Sequence, residues 1–369
     1  MKNTTKKVLA LILSAIFLFA LSACGGGSDE APPVSPTPGR VTSPTAQDTA
    51  PAPAQNAEEN PVTTTSCGLP VPEFITIHLS EYPTSLTKLD FSRHNVPLND
   101  EDIVPLKFMV NVTELNLSGN EISDISPLSG LTKLTVLNLE RNNITDISPL
   151  SGLVNLSSLL LGNEHGAGNF LGNNKIQDVS PLSNLVNLTS LDINSNNITD
   201  ISPLSNLVNL TSLNLRNSLS GGVSVRFDRD DGVRIVYAKI NGHNNISDIS
   251  PLSNLVNLES LNLTGNNISD ISPLVGLISL SVLRLDFNNI DNIEALSGLS
   301  RLTSLNLSGN YFTDISPLEN VRFIDPLNVS YINIDDWSFV EHIKNVNGRP
   351  SVWGDGDDDA PFVINIERQ

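Results

Sequence analysis

Apolar residues recur along most of the chain in one fixed pattern, LxxLxLxxNxIxDIxPL. Residues 131–152 (LTKLTVLNLERNNITDISPLSG) are a complete copy, and the asparagines that close successive LxxLxLxxN motifs are 22, 32, 22, 48, 22, 22 and 22 residues apart. Such a period predicts a solenoid, because one copy alone cannot bury its apolar face and neighbouring copies must share a core. The asparagines are Asn120, Asn142, Asn174, Asn196, Asn244, Asn266, Asn288 and Asn310.

Each position within a copy has a predicted physical role. Leu137 and Leu139 flank an outward residue, which predicts a short strand with both leucines in the core. Asn142 is expected to satisfy backbone groups left unpaired where the chain turns, so that stacked asparagines form a ladder. Ser148 is expected to cap a short helical turn beginning at Pro149. The predicted fold is an α/β solenoid, a leucine-rich-repeat horseshoe with a parallel concave sheet and short 3-10 or helical turns on the convex side.

The NxIxDIxPL block resembles the leucine-rich repeats of the internalin family and of related bacterial surface proteins, over about residues 86–340. This resemblance implies the solenoid fold and a role in binding other proteins, without naming a ligand. The chain shows neither the helical N-terminal cap nor the wall-sorting motif of that family, so invasion of host cells is not implied. Residues 74–79 (FITIHL) alternate instead as a strand, which is expected to pair beside the first repeat strand at residues 88–92.

The repeats are expected to span residues 109–340, after an N-terminal cap and an irregular first repeat at residues 67–108. A degenerate last copy at residues 327–340 has Ile332 in the asparagine column. Residues 341–369 are expected to form a C-terminal cap, with a ligand patch as the alternative. The bulky side chains expected to cover the last repeat are Trp337, Phe339, Val352, Trp353, Phe362, Ile364 and Ile366.

The first 66 residues predict export and a membrane anchor. Three lysines precede an apolar run at residues 8–23 that is too short to span a bilayer, so residues 1–23 are expected to be a signal peptide. The motif Leu-Ser-Ala-Cys ending at Cys24 resembles a bacterial lipobox, which implies lipidation of the Cys24 thiol and an extracytoplasmic protein anchored to the cell membrane or surface. Residues 24–66, rich in Pro, Ser, Thr and Ala, are expected to form an extended tether.

Two insertions interrupt the repeats at the same point of the copy and are expected to project from one edge. The first lies within residues 162–172, and the second within residues 218–243. In the second, alternating apolar residues on both sides of an Asp-Asp-Gly turn predict a β-hairpin. Insertions on one face of a solenoid commonly mark its binding face, and arginine and aromatic residues are enriched at interfaces. The candidates are His165 and Phe170 in the first insertion and Arg226, Phe227, Arg229, Arg234 and Tyr237 in the second.

The outward residues of the repeat strands are mostly small and polar, so the exceptions are further candidates for contact with a ligand. Leu160 lies beside the first insertion, and Arg216 immediately precedes the second. Arg284, Asp286 and Phe287 cluster in a single repeat. Arginine and aromatic side chains often supply most of the binding energy at an interface.

Catalysis, cofactors and nucleic acid are not expected. The five histidines have no neighbours at metal-ligand spacing, no nucleotide-binding or nucleophile motif occurs, and no metal site is expected. The acidic runs near Asp230 and Asp357 offer oxygen ligands for calcium, although solvated loops are favoured. A net charge of −19 opposes binding to nucleic acid. We therefore expect a monomeric surface module that binds a protein or glycan. The alternative is a non-catalytic subunit that captures substrate or acts as a scaffold in an envelope complex.

Overall fold

The structure is a computed structural model that describes residues 64–65, 68–92, 96–163, 173–228, 233–241, 244–321, 324–348 and 362–368. The chain divides into two units, Met1–Pro70 and Val71–Gln369. Within the first unit, Thr64 and Pro70 form an isolated antiparallel bridge. The predicted signal peptide, the tether with Cys24, and the insertion residues His165 and Phe170 lie outside the described residues.

The second unit is built on one sheet of 11 parallel strands. Adjacent repeats pair in register, so that Leu115, Leu137 and Leu159 lie side by side at the strand centres, and all three are buried. This architecture confirms the predicted solenoid. The strands of this sheet are β3 (Lys88–Asp90), β4 (Glu114–Asn116), β5 (Val136–Asn138), β6 (Ser158–Leu160), β7 (Ser190–Asp192), β8 (Ser212–Asn214), β11 (Ser260–Asn262), β12 (Val282–Arg284), β13 (Ser304–Asn306), β14 (Leu327–Asn328) and β15 (Val346–Asn347).

Short helices form the convex side. The first repeat has helix α1 (Asp100–Ile103), whose N-cap Asn99 makes a capping box with Asp102. The 3-10 helices are Val104–Phe108, Ser126–Leu128, Ser148–Leu150, Ser180–Leu182, Ser202–Leu204, Ser250–Leu252, Ser272–Leu274, Glu294–Leu296, Ser316–Leu318 and Ser338–Val340. No helix in these described ranges is long and apolar enough to cross a membrane.

The prediction that Ser148 caps the helical turn is wrong, because the aspartate two residues earlier accepts the hydrogen bonds at the start of this turn. The Asp146 carboxylate accepts the backbone N–H of Ser148 at 2.8 Å and its hydroxyl at 2.9 Å. The same pair of bonds recurs at Asp178 and Ser180. These bonds explain the recurring aspartate of the repeat and hold the pKa of Asp178 below its ordinary value.

The N-terminal end is covered by a small hairpin. Strands β1 (Phe74–Ile77) and β2 (Ser80–Pro83) pair with each other in an antiparallel sheet, and neither belongs to the large sheet. The predicted pairing of residues 74–79 with the first repeat strand is therefore wrong. Ile75 and Ile77 are buried, and the Tyr82 ring meets the Phe91 ring edge-on at 5.2 Å. The hairpin covers the core by packing rather than by extending the ladder.

The second insertion forms a β-hairpin, with strands β9 (Ser218–Asp228) and β10 (Val233–Asn241). A further strand, β16 (Phe362–Arg368), pairs in parallel with β10. Phe362, Ile364 and Ile366 were expected to cover the last repeat, but the register instead aligns their backbone with Arg234, Val236 and Ala238 of the hairpin. β15 extends the large sheet beyond the last predicted copy.

Candidate recognition surface

The eight asparagines of the repeat link neighbouring turns of the solenoid. Each is buried. The Asn142 side chain donates to the carbonyl oxygens of Leu117 at 2.9 Å and Leu139 at 3.1 Å, one in the preceding repeat and one in its own. Its Oδ1 accepts the backbone N–H of Ile122 at 3.1 Å. One side chain thus satisfies three buried backbone groups that the turn cannot pair, which fixes the shape of the scaffold.

Two further asparagines, which were not among the predicted site residues, close the bases of the insertions. Asn163 accepts the backbone N–H of Asn174 at 2.8 Å and donates to the Asn174 carbonyl at 3.0 Å. Asn217 makes the same pair of contacts with Asn244, at 3.2 and 2.6 Å. Each side chain therefore joins the last residue before an insertion to the first residue after it. The signal was present in the sequence, because an asparagine precedes both insertions.

The position before the ladder asparagine adopts the left-handed conformation in the uninterrupted repeats. This column contains Gly119, Arg141, Ser195, Gly265, Phe287, Gly309 and Tyr331, with φ between 51° and 73°. Glycine adopts this conformation without strain, whereas a bulky aromatic residue does so at a cost. The two aromatic residues of this column are Phe287 and Tyr331, and both contact the hairpin.

The hairpin is docked on these two aromatic residues. Val236 and Ala238 of β10 are buried against Phe287, with Val223 and Tyr331 packed at the margin. The Phe287 and Tyr331 ring centroids are 6.4 Å apart. A Cβ at Gly309 would stand 2.6 Å from the Phe287 ring, so the glycine between them makes room for it. Phe287 was expected to be a surface anchor for a ligand, but it is 3% exposed and serves as the platform of the hairpin.

The hairpin candidates differ in position. Tyr237 is exposed, on the face of β10 opposite to Val236 and Ala238, whereas Arg234 is half-buried. Arg226 and Phe227 lie on β9 opposite Ile235 and Arg234, but their side chains lie outside the described residues, as does all of Arg229.

The concave sheet has its own structural column, at the last residue of each strand from β3 to β8 and from β11 to β14. In eight of the ten strands β3–β8 and β11–β14, an Asn or Asp Oδ1 accepts the backbone N–H two residues later, at 2.9–3.3 Å. This bond ends each strand with an Asx turn. The two exceptions are Leu160 in β6 and Arg284 in β12, both sequence candidates.

Leu160 lies in a shallow depression of about 440 Å³ at the N-terminal end of the concave face. Val136 of the neighbouring strand also lines it, and both side chains are half-buried. Polar residues border this apolar pair, including Lys88 and Glu114, whose charged groups are 2.6 Å apart. The depression therefore combines an aliphatic floor with a charged rim.

Arg284 is exposed, whereas the neighbouring carboxyl group is not. Asp286 is 6% exposed and accepts a hydrogen bond from the Thr264 hydroxyl at 2.8 Å. Burial raises the pKa of the Asp286 carboxyl above its ordinary value, although the Thr264 bond and the charges of Arg284 and Arg216 oppose this shift. Asp286 was expected to be a ligand contact, but a partner can reach little of it. Arg284 and half-buried Arg216 are the cationic side chains around it.

No group of three or more His, Cys, Asp or Glu side chains in the described part of the chain is arranged to hold a metal ion.

Family models for leucine-rich repeats match most of the repeat region. The model for leucine-rich repeats in two copies matches residues 110–152, 170–206, 186–221 and 237–276, and a leucine-rich-repeat model matches residues 257–312. No curated relative matches the sequence.

Solved structures give a closer comparison. An internalin (inlF) from Listeria monocytogenes is similar at 33% identity and a TM-score of 0.60, over 73% of this chain and 70% of that one. InlJ from Listeria monocytogenes shares the fold at 22% identity and a TM-score of 0.51, over 77% and 55% of the two chains. The ectodomain of the Arabidopsis thaliana receptor kinase GASSHO1, solved with CASPARIAN STRIP INTEGRITY FACTOR 2, also shares the fold. Its identity is 20% and its TM-score 0.56, over 72% of this chain and 30% of that one. The repeat pattern, the parallel sheet and the likeness to inlF together show that this chain belongs to the internalin family of leucine-rich-repeat proteins.

Proposed function

We propose that this protein is a non-catalytic binding module of the bacterial surface, which recognises a protein partner through its concave sheet and the hairpin along the edge of that sheet. Leucine-rich-repeat proteins are typically protein-binding scaffolds, and the internalin-like family is generally non-catalytic. The structures of the receptor kinases GASSHO1 and HAESA contain a bound factor or a peptide hormone, which illustrates this use of the fold in other proteins.

The observation that carries the proposal is the docking of the hairpin. Phe287 and Tyr331 adopt a conformation that is costly for aromatic residues, and together they meet the buried face of β10. A tolerated surface loop would not need such a platform. A docked hairpin presents Tyr237 in a fixed position on its outer face, and a preorganised surface loses less entropy when it binds.

A crosslinking experiment tests the proposal. A photoreactive phenylalanine analogue is placed at Ser260 on the concave sheet, at Tyr237 on the hairpin, or at Ser253 on the convex side as a control. Each protein is then mixed with the surface and secreted proteins of neighbouring cells and irradiated. We expect one partner to be crosslinked from Ser260 and Tyr237 and not from Ser253. Equal crosslinking from all three positions would contradict the proposal.

We also propose that Cys24 is lipidated and anchors the chain to the cell membrane or surface, with residues 25–66 as the tether. The support is the motif Leu-Ser-Ala-Cys after a short apolar run. A lipid anchor followed by a Pro-rich segment would lift the solenoid away from the bilayer, where a large partner can reach its concave face. A monomer without a cofactor is sufficient for this role.

A further inference from the structure

The two exceptions in the concave Asx column lose a structural bond. Neither a leucine nor an arginine side chain can accept the backbone N–H that the Asn or Asp accepts in the other eight strands. Leu160 also exposes apolar surface on a sheet that is otherwise polar at this column. Departures from a repeated structural solution are expected at functional or strained sites. Leu160 and Arg284 are therefore the candidates for a recognition site on this face.

The spacing of the two exceptions fixes the length of ligand that could reach both. β7, β8 and β11 separate β6 from β12, so Leu160 and Arg284 are four strand spacings apart. At about 4.8 Å per spacing, this separation is about 19 Å. An extended chain advances about 3.3 Å per residue, so about six residues of an extended segment would bridge the two positions.

The floor between them suits an extended segment. The first outward column there is Ser190, Ser212 and Ser260, which are small and uncharged. The one carboxylate in the third-residue column of β7, β8 and β11, Asp192, accepts bonds from Asn194 and Asn214 at 2.7 and 2.8 Å. The apolar depression lies at one end of this path and the exposed guanidinium of Arg284 at the other.

We propose that the concave face between β6 and β12 binds an extended segment of a partner protein that places an aliphatic side chain against Leu160 and Val136 and a carboxylate on Arg284, about six residues apart. This inference rests on the proposed function and specifies the chemistry of its partner. The guanidinium donates paired hydrogen bonds to a carboxylate, and the half-buried aliphatic pair gains from being covered. The net charge of −19 repels an acidic ligand from the protein as a whole, which favours its binding at this cationic end.

The repeat itself supplies the test variants. Leu160→Asn and Arg284→Asn restore the column and its Asx turn, so each is expected to fold and to be at least as stable as the parent. The matched controls are Val208→Asn, which removes an exposed aliphatic side chain, and Arg301→Asn, which removes an exposed charge, both away from the concave sheet. Circular dichroism melting curves establish that all four proteins are folded.

The probe is a displayed library of random decapeptides, panned on the whole chain and on each variant. We expect the parent and both controls to enrich peptides with an aliphatic residue and an Asp or Glu five to seven residues apart, as estimated above from the strand spacing. Leu160→Asn should lose the aliphatic preference, and Arg284→Asn the acidic one. The corresponding synthetic peptides should bind these variants at least about tenfold more weakly, or about 1.4 kcal/mol.

Three outcomes would overturn the inference: no enrichment, enrichment without this spacing, or equal enrichment on parent and restored variants. The crosslinking experiment distinguishes these outcomes from failure of the proposed function. A partner crosslinked from Ser260 and Tyr237, together with a failed panning, would retain a protein-binding module and reject an extended segment as its ligand.

Discussion

Replacing Asn196 by leucine tests the asparagine ladder at its centre. The Asn196 side chain donates to the carbonyl oxygens of Leu161 at 3.1 Å and Ile193 at 3.2 Å, and its Oδ1 accepts the backbone N–H of Ile176 at 3.0 Å. Leucine has a similar volume and can make none of these bonds. The expected loss of stability therefore comes from the missing hydrogen bonds and not from a cavity.

The magnitude follows from which groups keep a partner. The Leu161 carbonyl also accepts a bond from Asn174 at 3.0 Å, and the Ile193 carbonyl one from Asn244 at 3.3 Å. Both carbonyls are thus shared between two asparagines, whereas the Asn194 carbonyl loses the bond that it accepts from Asn196 at 3.2 Å and the Ile176 N–H loses the Asn196 oxygen as its acceptor. One buried donor without an acceptor costs about 1–3 kcal/mol. We expect Asn196→Leu to lower the free energy of unfolding by about that amount.

Asn197→Ala is the matched control. Asn197 is half-buried, and its Oδ1 is buried without a hydrogen-bond partner. Its removal should cost at most about 0.5 kcal/mol. Denaturant titration measures both variants, and hydrogen exchange followed by mass spectrometry reports on the Ile176 amide, which should exchange at least about tenfold faster in Asn196→Leu. Equal midpoints for the two variants, with unchanged protection of Ile176, would refute the role of the ladder.

Three further results are expected. Cys24→Ala should move the protein from the membrane fraction to the medium or to unprocessed precursor, as measured by fractionation and immunoblotting; unchanged membrane association with normal signal cleavage would contradict the anchor. Phe287→Ala should release the hairpin, so that limited proteolysis cuts within residues 218–243 while the solenoid resists; an equally resistant hairpin would show that other contacts hold it. Because the folded-state pKa of Asp286 is raised above 3.8, its contribution to stability is present below that pH and lost as pH rises through the folded pKa. Asp286→Asn should therefore gain in unfolding free energy over the parent between pH 4 and pH 7, and a constant difference across that range would argue against burial of the charge.

The repeat determined most of what the sequence could predict. When a residue type recurs at the same position of eight copies, its spacing indicates its structural role. The strands, the core leucines and the buried asparagines could therefore all be predicted from the sequence. The Ser148 cap was misassigned because the serine and the aspartate two residues earlier are both good caps, and only geometry distinguishes them.

Contacts that do not recur from repeat to repeat could not be predicted from the sequence. Strand β16 pairs with β10 across more than 120 residues, and no period relates the two segments. Phe287 looked like an exposed anchor because aromatic residues are rare here, and only the position of the hairpin explains why it is buried. The β1–β2 hairpin was missed for a related reason: alternation predicts a strand but does not identify its neighbour.

The side-chain hydrogen bonds of Asn163 and Asn217, here called clasps, separate the two inserted segments from the repeats that carry them. Asn163 and Asn217 rejoin the solenoid to itself across gaps of different length, and the strands on either side keep their register. The hydrogen bonds of the ladder do not depend on the chain between the two ends of a clasp, so the length and sequence of that chain can change while the ladder stays intact. The solenoid thus has two positions at which inserted loops can be exchanged, by selection or by design, with little risk to the fold.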